Sequence, residues 1–316
     1  MAARTQLTGV VDAALRKGIL VAADSKHIRK AVRSHGMRFG ASRFVAGETL
    51  DDCVAVLRRL NERGLYANTT LLGEGVLEPG ETESVVRAYR EILDRIAAEK
   101  LRANVALKLT HLGLDVDEEL ALANVRTLVE HAAKLDNFIR IDMEQSGYVD
   151  ATLRVYRRLR EDGLESVGTV LQSYLYRTPE DLESLLPLKP NLRLVKGAYL
   201  EPHDVAYAQK SEVDDAYGRL MERMLLECGH TAIATHDERL IERAVRFTTE
   251  HDVPRDRFEF QMLYGVRPNL QLDLARRGYK VLVATPFGPD WYPYLMRRLG
   301  ERPANLLFFA RAAFRR

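Results

Sequence analysis

Arg193-Leu194-Val195-Lys196-Gly197-Ala198-Tyr199 is the stretch whose reading decides the fold. It opens with apolar and basic residues in alternation, as a buried parallel strand ending in a functional mouth does. Gly197 and Ala198 then remove side-chain bulk, so the backbone can approach a flat ligand closely. Tyr199 closes the run with an aromatic face and a hydroxyl. Taken alone, the stretch reads equally well as a strand carrying two snorkelling basic side chains.

Outward from it, short β-type segments alternate with amphipathic helical ones from about residue 42. Strands are expected at Arg43–Ala46, Leu65–Leu72, Val105–Thr110, Phe138–Met143, Val167–Tyr174, Leu192–Tyr199, Thr231–Thr235 and Phe258–Leu263. The helical segments between them include Leu50–Glu62, Glu81–Lys100, Asp117–Lys134, Tyr148–Asp162, Pro179–Leu186, Glu212–Cys228 and Glu238–His251. Eight β/α units over roughly 250 residues predict an α/β chain folded as a (β/α)8 TIM barrel rather than an open doubly wound sheet. No G-x-G-x-x-G follows the first strand, which weakens the dinucleotide-fold option. Residues 1–40 read as an N-terminal helical segment, and 41–316 as one barrel domain without a low-complexity linker. The tail departs from the repeat with a helix (Asn269–Arg277), an extended piece (Val281–Thr285), a Pro286-Phe287-Gly288-Pro289 turn and a long helix from Tyr292.

With 316 residues, 46% of them hydrophobic, the chain can bury a large core. Lys and Arg number 47 against 45 Asp and Glu, a net charge of +2 that gives no electrostatic case for nucleic acid. Cys53 and Cys228 are isolated, which argues for a reducing compartment and against zinc. The N-terminus lacks an apolar signal core, and no run of about 18 apolar residues occurs. A soluble, cytoplasmic protein is expected.

In such a barrel, chemistry sits at the carboxyl ends of the strands. Those ends carry Lys108, Asp142 and Glu144, Gln172, Arg193 and Lys196, Thr235-His236-Asp237, and Gln261. One charge on a solvated rim is routine, but strand after strand ending this way points to a site, because inward polar groups cost free energy unless paired or used. On the final helix Tyr294, Arg297, Arg298 and Glu301 fall at i, i+3, i+4 and i+7, on one face. Two guanidiniums beside Trp291-Tyr292-Pro293-Tyr294 make a carboxylate clamp, so the implied substrate is a small acid. His236 by itself reads more readily as a structural histidine than as a catalyst.

These segments together resemble the proline dehydrogenase family. The matching stretches are Phe138-Ile-Arg-Ile-Asp142-Met143-Glu144, Val170-Leu-Gln172-Ser-Tyr174-Leu, Arg193 to Tyr199, Ala234-Thr235-His236-Asp237, Phe258-Glu-Phe-Gln261-Met-Leu, and Trp291 to Asn305 with its Y-x-x-R-R-x-x-E. The resemblance implies a distorted (β/α)8 barrel with the last helix over its mouth. It also implies noncovalent FAD, oxidation of proline to 1-pyrroline-5-carboxylate, and electrons passed to a quinone. It assigns the substrate carboxylate to Arg297 and Arg298 with Lys108, and the substrate ring to Tyr199 and Tyr294. The flavin falls to Met143, Gln172, Lys196, Gly197, Ala198, Thr235 and His236, and catalysis to Asp142 and Arg193. Glu301 is placed to pair with the arginine clamp. A lipid-soluble acceptor leaves room for peripheral contact at the inner face of the membrane, and the basic run from Lys26 to Arg33 fits either that contact or a solvated face.

Hydride transfer is a positioning problem, which a carboxylate locked by three cations solves. A cation such as Arg193 beside the flavin stabilises negative charge on its reduced form. Asp142 can hold Arg193, hold Lys108, or act on the substrate amine. One departure from the family is Ala284, where a tyrosine usually crowds the far edge of the substrate ring. This predicts readier acceptance of a bulkier or hydroxylated cyclic imino acid such as hydroxyproline, unless Phe287 fills the space. A flavin-free alternative uses Lys196 as a Schiff-base amine in an aldolase-type barrel.

Overall fold

The computed structural model describes residues 41–301, of which 297–301 by their helical backbone alone. Eight parallel strands close into a barrel in simple chain order, with the last pairing back onto the first. They are β1 (Tyr66–Leu71), β2 (Ala103–Leu107), β3 (Ile139–Ile141), β4 (Val167–Gln172), β5 (Asn191–Val195), β6 (His230–Ala234), β7 (Phe258–Leu263) and β8 (Val281–Phe287). Helix α1 (Leu50–Glu62) precedes β1. Helices α2 (Pro79–Ala98), α3 (Glu118–Lys134), α4 (Val149–Glu161), α5 (Thr178–Leu185), α6 (Lys210–Glu227), α7 (Glu238–Glu250), α8 (Pro268–Arg276) and α9 (Trp291–Glu301) follow the strands in turn. The expected α/β barrel is the fold.

Period-two alternation divides each strand between two surfaces. Val105, Ile139, Leu192, Leu194, Ile233 and Val283 pack with apolar helix residues such as Leu57, Tyr89, Leu128 and Tyr156, so the main core is the ring between strands and helices. Several opposite alternates are polar and face the lumen. β1 and β5 are opposite walls, yet Arg193 Nη2 lies 2.7 Å from Asn68 Oδ1, a contact that can only cross the interior.

A polar lumen is stable only if its groups are paired. Buried Arg140 donates to the carbonyl of Thr169 at 2.9 Å, to that of Asn191 at 2.8 Å and to Asn191 Oδ1 at 2.5 Å. Gly168 makes room for it, since a Cβ there would lie 2.5 Å from Arg140 Nη1. Near the amino ends of the strands, buried Glu259 receives Lys280 Nζ at 3.0 Å and Gln261 Nε2 at 2.5 Å. Gln261, expected at a strand end, is therefore a mid-strand partner of Glu259.

Two strand expectations change places. Arg43–Ala46 is not a strand: Ala41–Arg43 form a 3-10 turn, and the chain then runs on outside the sheet. The apolar run is buried for another reason, because Ala41, Phe44 and Val45 pack under Trp291, Tyr292 and Leu295 of α9. Burying side chains of this size contributes roughly 1.5–3 kcal/mol each, enough to dock a helix. The extended piece of the tail is instead β8, which closes the barrel. Strands β2 to β5 are also shorter than expected, so Lys196 to Tyr199 lie in the loop after the fifth strand. Among the described residues, no helix is long and apolar enough to cross a membrane. The expected N-terminal helical segment and its Lys26–Arg33 run lie outside the described residues.

Candidate active site

A cavity of about 410 Å³ opens at the carboxyl ends of the strands. Its wall includes Asn68, Glu74, Lys108, Asp142, Arg193 and Ala284, together with Pro293 and Tyr294 from the first turn of α9. The last helix does reach the barrel mouth. A second, more open hollow of about 550 Å³ lies between α7 and α8, where Arg267 is engaged by Glu238; the catalytic candidates do not line it.

Arg193, 7% exposed, is the centre of the polar network. Its Nη1 donates to Asp142 Oδ1 at 2.6 Å and its Nη2 to Asn68 Oδ1, while its Nε–H is buried without a partner among the described residues. Lys108, just past β2, pairs with Glu74 from the loop after β1. Of the roles open to Asp142 in the sequence, holding Arg193 is the one with a hydrogen bond; Lys108 has a different partner.

The next three strand ends form a second arc. Glu144 is buried and accepts from Thr110 Oγ1 at 2.8 Å and Thr110 N at 3.2 Å. Burial raises its carboxyl above the usual range, more than Lys108 and Thr110 lower it. Gln172 Nε2 donates to the Glu144 carbonyl at 2.9 Å. Met143 belongs to the main core. Lys196 donates to Asp214 at 2.5 Å and Asp237 at 3.2 Å. Burial alone would raise both of these carboxyls, but the Lys196 hydrogen bond and neighbouring lysines outweigh it, and both lie below the usual value. Thr235 Oγ1 accepts from Asp237 N, and His236 Nε2 accepts from Leu263 N at 2.9 Å, so both also brace the rim.

Gly197 has φ +115°, and a Cβ on it would lie 2.3 Å from the Tyr174 ring. That ring is tied down through its hydroxyl to Glu201 at 3.4 Å, and Glu201 in turn accepts from Ser146 N at 2.8 Å. Ala198 and Tyr199 follow in the same half-buried loop. On α9 Tyr294 is half-buried, whereas Trp291 and Tyr292 of the same aromatic cluster are 1% exposed and serve packing. Arg297, Arg298 and Glu301 fall on the helical backbone, but their side chains lie outside the described residues.

The donors fit a flavin. Arg193 offers in the cavity wall a buried N–H that no described residue accepts, and buried donors of this kind are rarely left without an acceptor. Gln172, Lys196, Thr235 and His236 continue the polar rim over β4 to β6, as an elongated cofactor with both ring and phosphate groups requires.

Sequence reading missed Asn68, Asn104 and Glu74. Asn68 Nδ2 donates to Asn104 Oδ1 at 2.5 Å, so the Arg193 network extends onto β2. Their common signal is a polar residue inside or just beyond a predicted strand on the lumen-facing alternation.

Residues 53–311 match the family model described as proline dehydrogenase. The chain is 42% identical over 294 residues to Proline dehydrogenase 1 of Bacillus subtilis, covering 93% of this chain and 97% of that protein. It is 41% identical over 303 residues to Proline dehydrogenase of Deinococcus radiodurans, covering 95% and 97%. Among solved structures, proline utilization A from Bdellovibrio bacteriovorus, inactivated by N-propargylglycine, superposes with a TM-score of 0.78 at 25% identity over 86% of this chain. The match spans only 33% of that longer chain.

Proposed function

The chain belongs to the proline dehydrogenase family, and on that premise we propose that it oxidises L-proline to 1-pyrroline-5-carboxylate with bound FAD and passes the electrons to a quinone. Its place is in proline catabolism, as an oxidoreductase. The observation that carries the reading is the convergence of Lys108, Asp142 and Arg193 on one cavity under the first turn of α9.

In this reading Lys108, with Arg297 and Arg298, binds the substrate carboxylate, and Tyr199 and Tyr294 line its ring. Charge-assisted contacts on one end of a small ring fix the position of the carbon that loses hydride. FAD, held by Met143, Gln172, Lys196, Gly197, Ala198, Thr235 and His236, supplies the hydride acceptor when bound. Asp142 orients Arg193, whose fixed cation stabilises developing negative charge most strongly in a water-poor cavity. Glu74 occupies Lys108 until a substrate carboxylate competes for it. The amine must be unprotonated for transfer, so the rate rises with pH from neutral into the alkaline range. A quinone resides in lipid, so the reading includes a peripheral contact at the inner face of the membrane.

Ala284 in the cavity wall favours a second reading, in which hydroxyproline is also oxidised. The Schiff-base alternative has no such support, since it needs a free amine and Lys196 donates to two carboxylates. The test is the visible absorption of the purified protein before and after anaerobic proline. A flavin band that bleaches supports the reading; a colourless protein that takes up no FAD overturns it.

A further inference from the structure

We propose that Asn68 is a positioning residue for Arg193, fixing its guanidinium plane from the opposite wall of the barrel. The inference rests on the role of Arg193 given above.

Three observations carry it. Arg193 extends from β5 and is held at Nη1 by Asp142, beyond β3, and at Nη2 by Asn68, on β1. These holds come from different walls, and together they fix a plane that a single hydrogen bond would leave free to turn. Among the described residues the Nε–H has no partner, so of these side chains Asp142 and Asn68 alone set that plane.

The Asn68 amide has only one useful orientation. A guanidinium donates and never accepts, so Asn68 must present its oxygen and send its NH2 elsewhere. Asn104 Oδ1 receives that NH2 at 2.5 Å. Asn68 itself is 2% exposed, so neither group can turn to bulk water. An aliphatic residue at position 68 would strand a buried N–H of a charged group, a costly defect. A carboxylate would keep the hold but add a second negative charge opposite Asp142. The amide holds the cation without neutralising it.

Asn68→Ala, Arg193→Met and the double variant are prepared as holoenzymes. Anaerobic flavin reduction by proline and the midpoint potential of the bound flavin are measured for each. Asn68→Ala should slow reduction about tenfold with KM within about twofold, and should lower the potential. In the Arg193→Met background the same substitution should change neither quantity, because the residue it acts through is gone. Additive effects, or a wild-type rate and potential in Asn68→Ala, would overturn the proposal while leaving Arg193 in its role. A wild-type rate in Arg193→Met would overturn the reading beneath it as well. Should Asn68→Ala fail to fold, Asn68→Ser carries the test in the same cycle: its hydroxyl keeps the site polar but is too short to hold Nη2 across the barrel, and a rate and potential equal to wild type there overturn the proposal.

Discussion

Lys196 donates to Asp214 at 2.5 Å and thereby ties the loop after β5 to the start of α6. Asp237, which caps α7 by accepting from Arg239 N, takes a second hydrogen bond from the same ammonium. Lys196 is thus placed by two helices. Removing it should loosen FAD about tenfold, equivalent to about 1.4 kcal/mol. Asp214→Asn should cost less, because Asp237 still holds the ammonium. Fluorescence titration of FAD into apoprotein reads both. An unchanged affinity in Lys196→Met would remove Lys196 from the cofactor site.

Much of this was legible because short apolar runs recur between helical segments and several of them end in polar residues. Lys108, Asp142 and Arg193 each close or interrupt an apolar run, and the structure brings all three to one cavity. Phe44-Val45-Ala46 misled for a physical reason: an apolar triplet buried under a helix far along the chain has the same local pattern as a strand. Asn68 stayed hidden in Ala67-Asn68-Thr69-Thr70, where small and polar neighbours give no contrast. Its partner Arg193 lies 125 residues away, a separation that only barrel closure resolves.

His111 makes acid stability testable. It is 7% exposed, packs edge-on against Tyr89, and is pushed down to about 4 by burial first and by the charge of Lys108 next. The folded value lies below the ordinary 6.5, so the folded state binds fewer protons than the unfolded one between these values. Stability present above about pH 6.5 is therefore lost as pH falls toward 4, by up to about 3 kcal/mol from this residue. His111→Asn should flatten that part of the curve. Urea midpoints at about pH 5 and about pH 7.5 decide it, and an equal acid loss in both proteins would place the cause elsewhere.

Gly197 is constrained twice, by φ +115° and by the Tyr174 ring in the space of a Cβ. Gly197→Ala should therefore destabilise the protein by roughly 1–3 kcal/mol through backbone strain, with further loss from the displaced ring. Because the ring is tethered through Glu201 to the loop at Ser146, the damage should reach the cofactor arc. A lower Tm with weaker FAD retention is expected. An unchanged Tm would mean that Tyr174 swings aside freely.

In the second reading substrate range turns on Ala284, which lies on β8 between Asn68 of β1 and Leu263 of β7 and in the wall of the cavity. A side chain this small leaves open the place where a ring substituent would sit. Phe287 does not fill that space: it is 3% exposed and, unlike Ala284 and Pro286, does not line the cavity. Wild type should therefore oxidise 4-hydroxyproline with a kcat/KM closer to that for proline than Ala284→Tyr does. Restoring the ring should shift the ratio toward proline by about tenfold or more, the size expected when a pocket gains or loses room for one small group. Should the two proteins discriminate equally, the cavity wall at Ala284 would have no part in choosing the substrate.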